Sequence, residues 1–214
     1  MRRLTQFFES SIAKKMTIAL AGVLLFGFLL VHLAGNLFLL SGPEAFNDYA
    51  SHLAQNPILP AAEIILLAIF LVHIAVSLAA RSQNRGARPI GYEIHAGKGA
   101  RTWGSRSMTY TALILLAFLV VHLKAFRFAS NRSDLYALVM ASFHSGFCVL
   151  FYIAAMGALA LHLSHGLQSA LQTFGFHHPR YTPLARKAGF CLAILISLGF
   201  AILPVWAYIT GGAR

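Results

Sequence analysis

Five long runs of apolar residues, separated by more polar stretches, dominate the hydrophobic pattern of the chain. Each run reaches the roughly 20 residues that a helix rising about 1.5 Å per residue needs to cross about 30 Å of hydrocarbon. The pattern predicts an all-α membrane protein, one domain over residues 1–214, with transmembrane helices at about 17–41, 58–80, 108–128, 145–172 and 188–210. The first run begins late and carries His32 and Asn36 near its end, so we interpret it as a retained span and not as a cleaved signal peptide.

Composition and charge placement fit this interpretation. Hydrophobic residues make up 58% of the chain, charged residues 11%, and the mean hydropathy is +0.69. The net charge of +11 would suggest nucleic-acid binding in a soluble protein. Most Lys and Arg residues, however, fall in the N-terminal segment and in the second and fourth connections, whereas the first connection has none and carries Glu44 and Asp48. The positive-inside rule therefore predicts a cytoplasmic N-terminus, an outside C-terminus and no role in nucleic-acid binding.

One local pattern, a histidine that follows aliphatic residues, occurs on each of the first four predicted spans. The copies are LLVHLAGNL around His32, FLVHIAVSL around His73, FLVVHLKAF around His122 and LALHLSHGL around His162. A single membrane histidine often only forms a hydrogen bond between helices. Four of them, one on each helix, favour metal ligation.

The direction of each span sorts these histidines into two pairs. Under the predicted topology, His32 and His122 lie toward the outer side and His73 and His162 toward the inner side. Two haems, each ligated by one pair of imidazoles within a four-helix bundle, satisfy this arrangement. Haem fits better than zinc or a di-iron centre, because the sequence offers neither a thiolate cluster nor an inward Glu-x-x-His set. No Cys-x-x-Cys-His motif for covalent haem attachment is present.

Further residues are candidates for the surroundings of the haems. Lys15, Arg88, Trp103 and Arg106 are placed to hold haem propionates on the inner side, although basic residues here also set membrane topology. His165 follows His162 by three residues and lies nearer the cytoplasm, so we expect it to border the edge of the inner haem and not to ligate the iron.

Three other ionisable residues leave alternatives open. Glu63 lies in the apolar start of the second span, where a carboxylate can exchange protons with a quinone, reach the headgroups or bond a neighbouring helix. Glu44, in the first connection, is an alternative to it. His144 opens the fourth span near the outer face and is an alternative ligand to His32 or His122, but it lacks the aliphatic flanks.

Together these motifs resemble the di-haem cytochrome b membrane anchor of succinate:quinone oxidoreductases, in the single-polypeptide, five-helix form. The resemblance runs nearly end to end: HLAGNL with EAFNDYA after the first span, NRGARP after the second, SRSMT before FLVVHLKAF, and LHLSHGLQSALQTFGF before a basic loop. It implies that His32 and His122 ligate a distal haem and that His73 and His162 ligate a proximal one. The acidic residue of the family near the distal quinone site corresponds to Glu63.

The resemblance also implies cofactors, partners and a location. The cofactors are two b-type haems, and the substrate is a quinone, with menaquinone favoured. The partners are a flavoprotein that interconverts succinate and fumarate and an iron–sulfur subunit, both on the cytoplasmic face of a bacterial inner membrane, in a complex that can form a higher oligomer. The chain itself would not oxidise succinate; it would relay electrons in succinate dehydrogenase or fumarate reductase.

Two rival hypotheses remain open. The cytochrome b subunit of a hydrogenase or formate dehydrogenase also passes electrons to quinone through histidines on membrane helices. A transporter or proton channel would use buried histidines as a relay, with no haem.

Overall fold

The computed structural model describes residues 10–86, 103–130, 132–176 and 178–211. These residues form seven α-helices and no strand. The helices are Ser11–Leu37 (α1), Pro43–Gln55 (α2), Leu59–Gly86 (α3), Trp103–His122 (α4), Leu135–Ser142 (α5), Gly146–Thr173 (α6) and Thr182–Gly211 (α7). A short 3-10 segment, Phe38–Ser41, extends α1, and a π-helical segment, Leu123–Arg127, extends α4.

Five of these helices are long and apolar enough to cross a membrane. The candidate spans are Ser11–Ser41, Leu59–Asn84, Gly104–Arg127, Gly146–Thr173 and Thr182–Gly211. Large apolar side chains along them stay exposed, as with Val31 at 66% and Leu195 at 67%, which suits contact with lipid. For the described residues, the prediction of an all-helical fold with five long apolar helices is confirmed, and the helices indicate a multi-pass membrane protein.

The predicted starts at 17, 108 and 188 and the predicted end at 80 were wrong by about five or six residues, because the helices continue beyond the apolar runs. Hydropathy marks the hydrocarbon part of a helix, whereas the helix itself extends into the headgroup layer, where long cationic side chains reach water. In α1 this extension carries Lys14, whose Nζ donates to Oε1 of Gln83 on α3 at 2.7 Å. Ser10 caps α1, because its Oγ accepts from the backbone N–H of Ala13 at 3.1 Å.

The two short helices α2 and α5 were missed by the hydropathy pattern, and they pack against each other at one end of the bundle. Gly42, with φ of 102°, turns the chain from α1 into α2 in a conformation that favours glycine. Asn47 of α2 donates to Asp134 Oδ1 and accepts from the backbone N–H of Tyr136, each at 2.9 Å. Asp134 Oδ1 also accepts from the backbone N–H of Ala137 and so caps α5. We call α2 and α5 together the cap.

The long helices pack unevenly around the interior. Helix α1 packs against α3 and α6, and α6 packs against α4 and α7, whereas α3 and α4 have no extended contact. The core lies where α6 meets α7 and where both meet the cap, with Leu39, Ala193 and Ala207 almost fully buried. The four histidine-bearing helices therefore enclose an interior that is closed except between α3 and α4.

Replacing Asp134 with Ala is expected to loosen the cap, because it removes the acceptor for both the Ala137 amide and the Asn47 side chain. Hydrogen exchange measured by mass spectrometry should be faster in α5 and unchanged in α6. Asp48→Ala, an exposed acidic residue on α2, is the matched control. Equal exchange in the two variants would contradict this role for Asp134.

Acid should have the same effect as this substitution. The Ala137 amide, followed by the Asn47 side chain, holds the pKa of Asp134 below its usual value of 3.8. A depressed folded-state pKa gives a stabilisation that is complete above the unfolded pKa and is lost as the pH falls through the folded one. Wild-type exchange in α5 should therefore approach that of Asp134→Ala only below about pH 4. A wild-type cap that loosens between pH 5 and 7 would assign the effect to another group.

Candidate functional site

The four predicted histidines lie on four different long helices and are all partly buried. His32 of α1 and His122 at the end of α4 are brought together, with ring centroids 5.9 Å apart and planes at 89°. Two imidazoles that bind one metal ion through nitrogen, at about 2.0–2.1 Å per bond, have centroids about 6 Å apart. We call His32 and His122 the upper pair, since they lie toward the cap.

Aromatic side chains surround the upper pair. Phe28 stacks on His32 at 5.1 Å between centroids, and Phe118 stacks on His122 at 5.5 Å. Phe126 meets His122 edge-on at 5.3 Å. Phe200 lies 5.7 Å from His32 and comes from α7, a helix that the sequence analysis placed outside the histidine bundle. The surroundings suit a flat apolar ligand such as a porphyrin.

Tyr152 of α6 contacts His122 of the upper pair through its hydroxyl. Its hydroxyl lies 3.3 Å from Nδ1 of His122, and the residue is only 7% exposed. With Nδ1 occupied by this contact, Nε2 is the nitrogen left to act as a ligand. Tyr152 was missed because a tyrosine in an apolar helix is ordinarily a core residue.

His73 and His162 lie nearer the N-terminus of α1, and we call them the lower pair. The imidazoles of His73 and His165 both lie within electrostatic range of His162. Oγ1 of Thr111, on α4, lies 3.4 Å from Nδ1 of His162. Thr111 is 3% exposed, and it too was absent from the sequence prediction.

His73 has an unpaired ring nitrogen. The Ile18 carbonyl lies near its ring, but Nδ1 is buried and has no hydrogen-bond partner of normal geometry among the described residues. A Cβ on Gly22 of α1 would lie 3.4 Å from Cε1 of this ring, so the imidazole lies close beside α1 at this residue. An unpaired buried nitrogen is costly, and binding a metal or a polar ligand would remove that cost.

Three helices give the same separation between the two levels. Each of these helices carries one residue at the upper pair and one at the lower pair. They are His32 and Gly22 on α1, His122 and Thr111 on α4, and Tyr152 and His162 on α6, the upper residue being given first. Each pair is 10 or 11 residues apart in sequence, which corresponds to about 15 Å along a helix. The upper and lower pairs are therefore two sites, one above the other.

The donor set distinguishes among possible metals. Within the described ranges, no group of three or more His, Cys, Asp or Glu side chains could hold a metal ion. A structural zinc site or a di-iron centre needs more protein ligands than this, whereas a haem iron needs only two. The residues present therefore fit two haems, each with two imidazole ligands.

A cavity of about 520 Å³ adjoins the lower pair at the N-terminal end. It is lined by Ile18, Ser77, Ala80, Arg81, Asn84, Met108 and His165. Arg81 and Asn84 contribute hydrogen-bond donors to the lining of this cavity, and neither was predicted as a site residue. His165 lines the cavity as well, and its imidazole lies near His162.

Two other predicted propionate partners, Lys15 and Arg106, do not line this cavity. Lys15 and Arg106 are exposed side chains at the same end of the bundle. Arg88 and the side chain of Trp103 lie outside the described residues.

Glu63 has a partner that the sequence did not reveal. Nε and Nη2 of Arg127 donate to its two carboxylate oxygens, each at 2.8 Å. Arg127 belongs to the π-helical segment that follows His122, so this ion pair joins α3 to the end of α4. His144, the alternative ligand, is exposed and lies beside Gly211 in the last turn of α7.

Compared with known proteins, the chain matches no family model, no curated protein and no solved structure.

A methyl group at Gly104 is expected to disturb the contact between α4 and α6 below Thr111. It would lie 2.9 Å from Ser164 Oγ and 3.0 Å from the Leu161 carbonyl oxygen, and a backbone atom cannot easily move away. Overpacking of this kind typically costs about 1–3 kcal/mol. Thermal unfolding in detergent should therefore show a lower midpoint for Gly104→Ala.

Gly166→Ala is the matched control, because a Cβ there meets nothing within 4 Å and alanine favours a helix by up to about 1 kcal/mol. Its midpoint should equal or exceed that of the wild type. If Gly104→Ala were as stable as Gly166→Ala, the close approach at Gly104 would not matter for packing.

Proposed function

We propose that the chain is the membrane anchor and electron-transfer subunit of a succinate:quinone oxidoreductase, with two b-type haems that connect an iron–sulfur subunit to membrane quinone. One observation carries the proposal: four partly buried histidines form two pairs at levels about 15 Å apart, and one imidazole of each pair has a hydroxyl at its Nδ1. Such a stack suits two haems in series. The assignment to succinate chemistry rests on the resemblance of the sequence motifs.

In this proposal His32 and His122 hold the distal haem and His73 and His162 hold the proximal one. The haems supply one-electron chemistry, and the chain supplies ligation, spacing and exclusion of water. The aromatic rings around the upper pair keep water from that site. No residue of this chain acts on succinate.

The polar groups at the N-terminal end serve the lower haem and the partner subunits. Arg81 and Asn84, with His165 beside them, line the cavity next to the lower pair and are suited to receive propionates. Exposed Lys15 and Arg106 lie at the same end and give the iron–sulfur subunit a basic surface for docking. This end would face the cytoplasm of a bacterium, with the protein in the inner membrane.

Quinone would react at the capped end, near the upper pair. Glu63 is the proton-exchanging group of this proposal, and its ion pair with Arg127 would have to open before the carboxylate takes a proton. Both side chains are more than a third exposed, and such pairs contribute only about 0–1 kcal/mol, so opening requires little free energy. Menaquinone is the quinone that the resemblance favours.

Replacing any one of His32, His73, His122 or His162 with Leu is expected to remove one of two haems, because that haem would lose one of the two imidazoles that hold it. Haem per chain is measured chemically on the purified protein, together with the α band of the reduced spectrum. His144→Leu is the control and should keep both haems. A wild type with no reduced α band would refute haem binding and favour the histidine relay, and loss of haem from His165→Leu would mean that the wrong histidine was assigned.

Isolation of the tagged chain in mild detergent is expected to retain a flavoprotein and an iron–sulfur protein. Lys15→Glu combined with Arg106→Glu should weaken this association, and more so at low salt, because surface charges act over about 10 Å at 0.1 M salt. Lys124→Glu, an exposed charge beside the cap, is the matched control. Recovery of a nickel or molybdenum subunit instead would favour the hydrogenase or formate dehydrogenase hypothesis.

A further inference from the structure

Two contacts between a hydroxyl and an imidazole join α4 and α6 in a reciprocal way. On the upper level, α4 supplies His122 and α6 supplies Tyr152; on the lower level, α6 supplies His162 and α4 supplies Thr111. Each helix thus carries one histidine and the hydroxyl that contacts the histidine of the other helix.

The lower contact has a defined direction. The Thr111 hydroxyl lies 3.1 Å from the carbonyl oxygens of both Ser107 and Met108, one turn back on its own helix. A threonine has a single O–H donor, and it is used on one of these carbonyls. With its proton on one of these carbonyls, the Thr111 oxygen accepts from Nδ1–H of His162 when that tautomer is present, which leaves the lone pair of Nε2 for a metal.

The upper contact lies in an apolar enclosure. The ring of Tyr152 packs edge-on against Phe118 and Phe143, each with centroids 4.9 Å apart. When Nε2 of His122 ligates a metal, Nδ1 retains its proton and donates to the phenol oxygen. The upper histidine thus bonds a phenol oxygen, whereas the lower one bonds an aliphatic hydroxyl.

The other histidine of each pair has no such hydroxyl. Within the described part of the chain, Nδ1 of His73 has no partner and the ring of His32 has only the Asn36 amide, 3.4 Å from both ring nitrogens. Each pair therefore contains one imidazole held at Nδ1 by a hydroxyl and one that is not.

We propose that Thr111 and Tyr152 are positioning residues that set the redox potentials of the two haems independently, Thr111 through His162 and Tyr152 through His122. The inference rests on the proposed function, since it needs haem at both pairs. A hydrogen bond donated from Nδ1 makes the imidazole a stronger electron donor to iron. The ferric state is then favoured, so loss of the acceptor raises the midpoint potential of that haem alone.

Redox titration of purified variants that retain one haem each tests this directly. In a His122→Leu background, which keeps the lower haem, Thr111→Val should raise the midpoint potential and Tyr152→Phe should leave it unchanged. In a His162→Leu background, which keeps the upper haem, Tyr152→Phe should raise the midpoint potential and Thr111→Val should leave it unchanged. Thr111→Ser, which restores a hydroxyl, should return the potential toward the wild-type value, and Tyr136→Phe, which removes a phenol within the cap, should shift neither haem.

Three results would each overturn the inference. They are unchanged potentials in both backgrounds, a shift of the same haem by both substitutions, and a Thr111→Ser variant that behaves like Thr111→Val. A wild type that binds no haem would instead overturn the proposed function. If the substituted chains fail to fold, nuclear magnetic resonance of the reduced wild type with labelled histidine still decides. Two of the four ligand imidazoles should show a hydrogen-bonded Nδ1–H, and none or all four would contradict the assignment.

Discussion

The antiparallel register of α4 and α6 is the constraint on which the histidine site depends. Close approach at Gly104 and the two reciprocal hydroxyl contacts, Thr111 with His162 and Tyr152 with His122, all lie along this one interface. A slip of one residue would move a side chain by about 1.5 Å and rotate it by about 100° around the helix. Both contacts would break together, so the interface fixes the height and the orientation of one histidine in each pair at the same time.

The remaining histidines are held more loosely, and the packing explains why. Helix α3 packs extensively against α1 but not against α4, so His73 lies beside Gly22 of α1 and lacks a hydroxyl partner within the described residues. The interior is thus open between α3 and α4, and the exposed ion pair of Glu63 and Arg127 joins these two elements near the cap. The α4–α6 half is thus fixed by contacts along its whole interface, whereas α3 is fixed mainly by its packing against α1.

Sequence patterns predicted the helical class and the five apolar helices, because hydrophobic runs and their period are local signals. The pattern could not reveal Thr111, since a threonine that bonds its own helix carbonyls looks like any other polar residue in a span. The partner of Glu63 lies 64 residues away, and nothing local indicates it. One signal was present: Thr111 precedes His122, and Tyr152 precedes His162, by nearly the same interval, as an antiparallel pair with two levels requires.

The π-helical segment after His122 allows one helix to carry both this histidine and the ion pair of Arg127 with Glu63. Its closing bond runs from the Phe128 amide to the Leu123 carbonyl at 2.9 Å, across five residues in place of four. The wider turn changes the direction of the residues beyond it, and Arg127 reaches Glu63 there. Because the distortion starts one residue after His122, the histidine keeps regular helical geometry and its contact with Tyr152, while the segment that follows is free to reach across to α3.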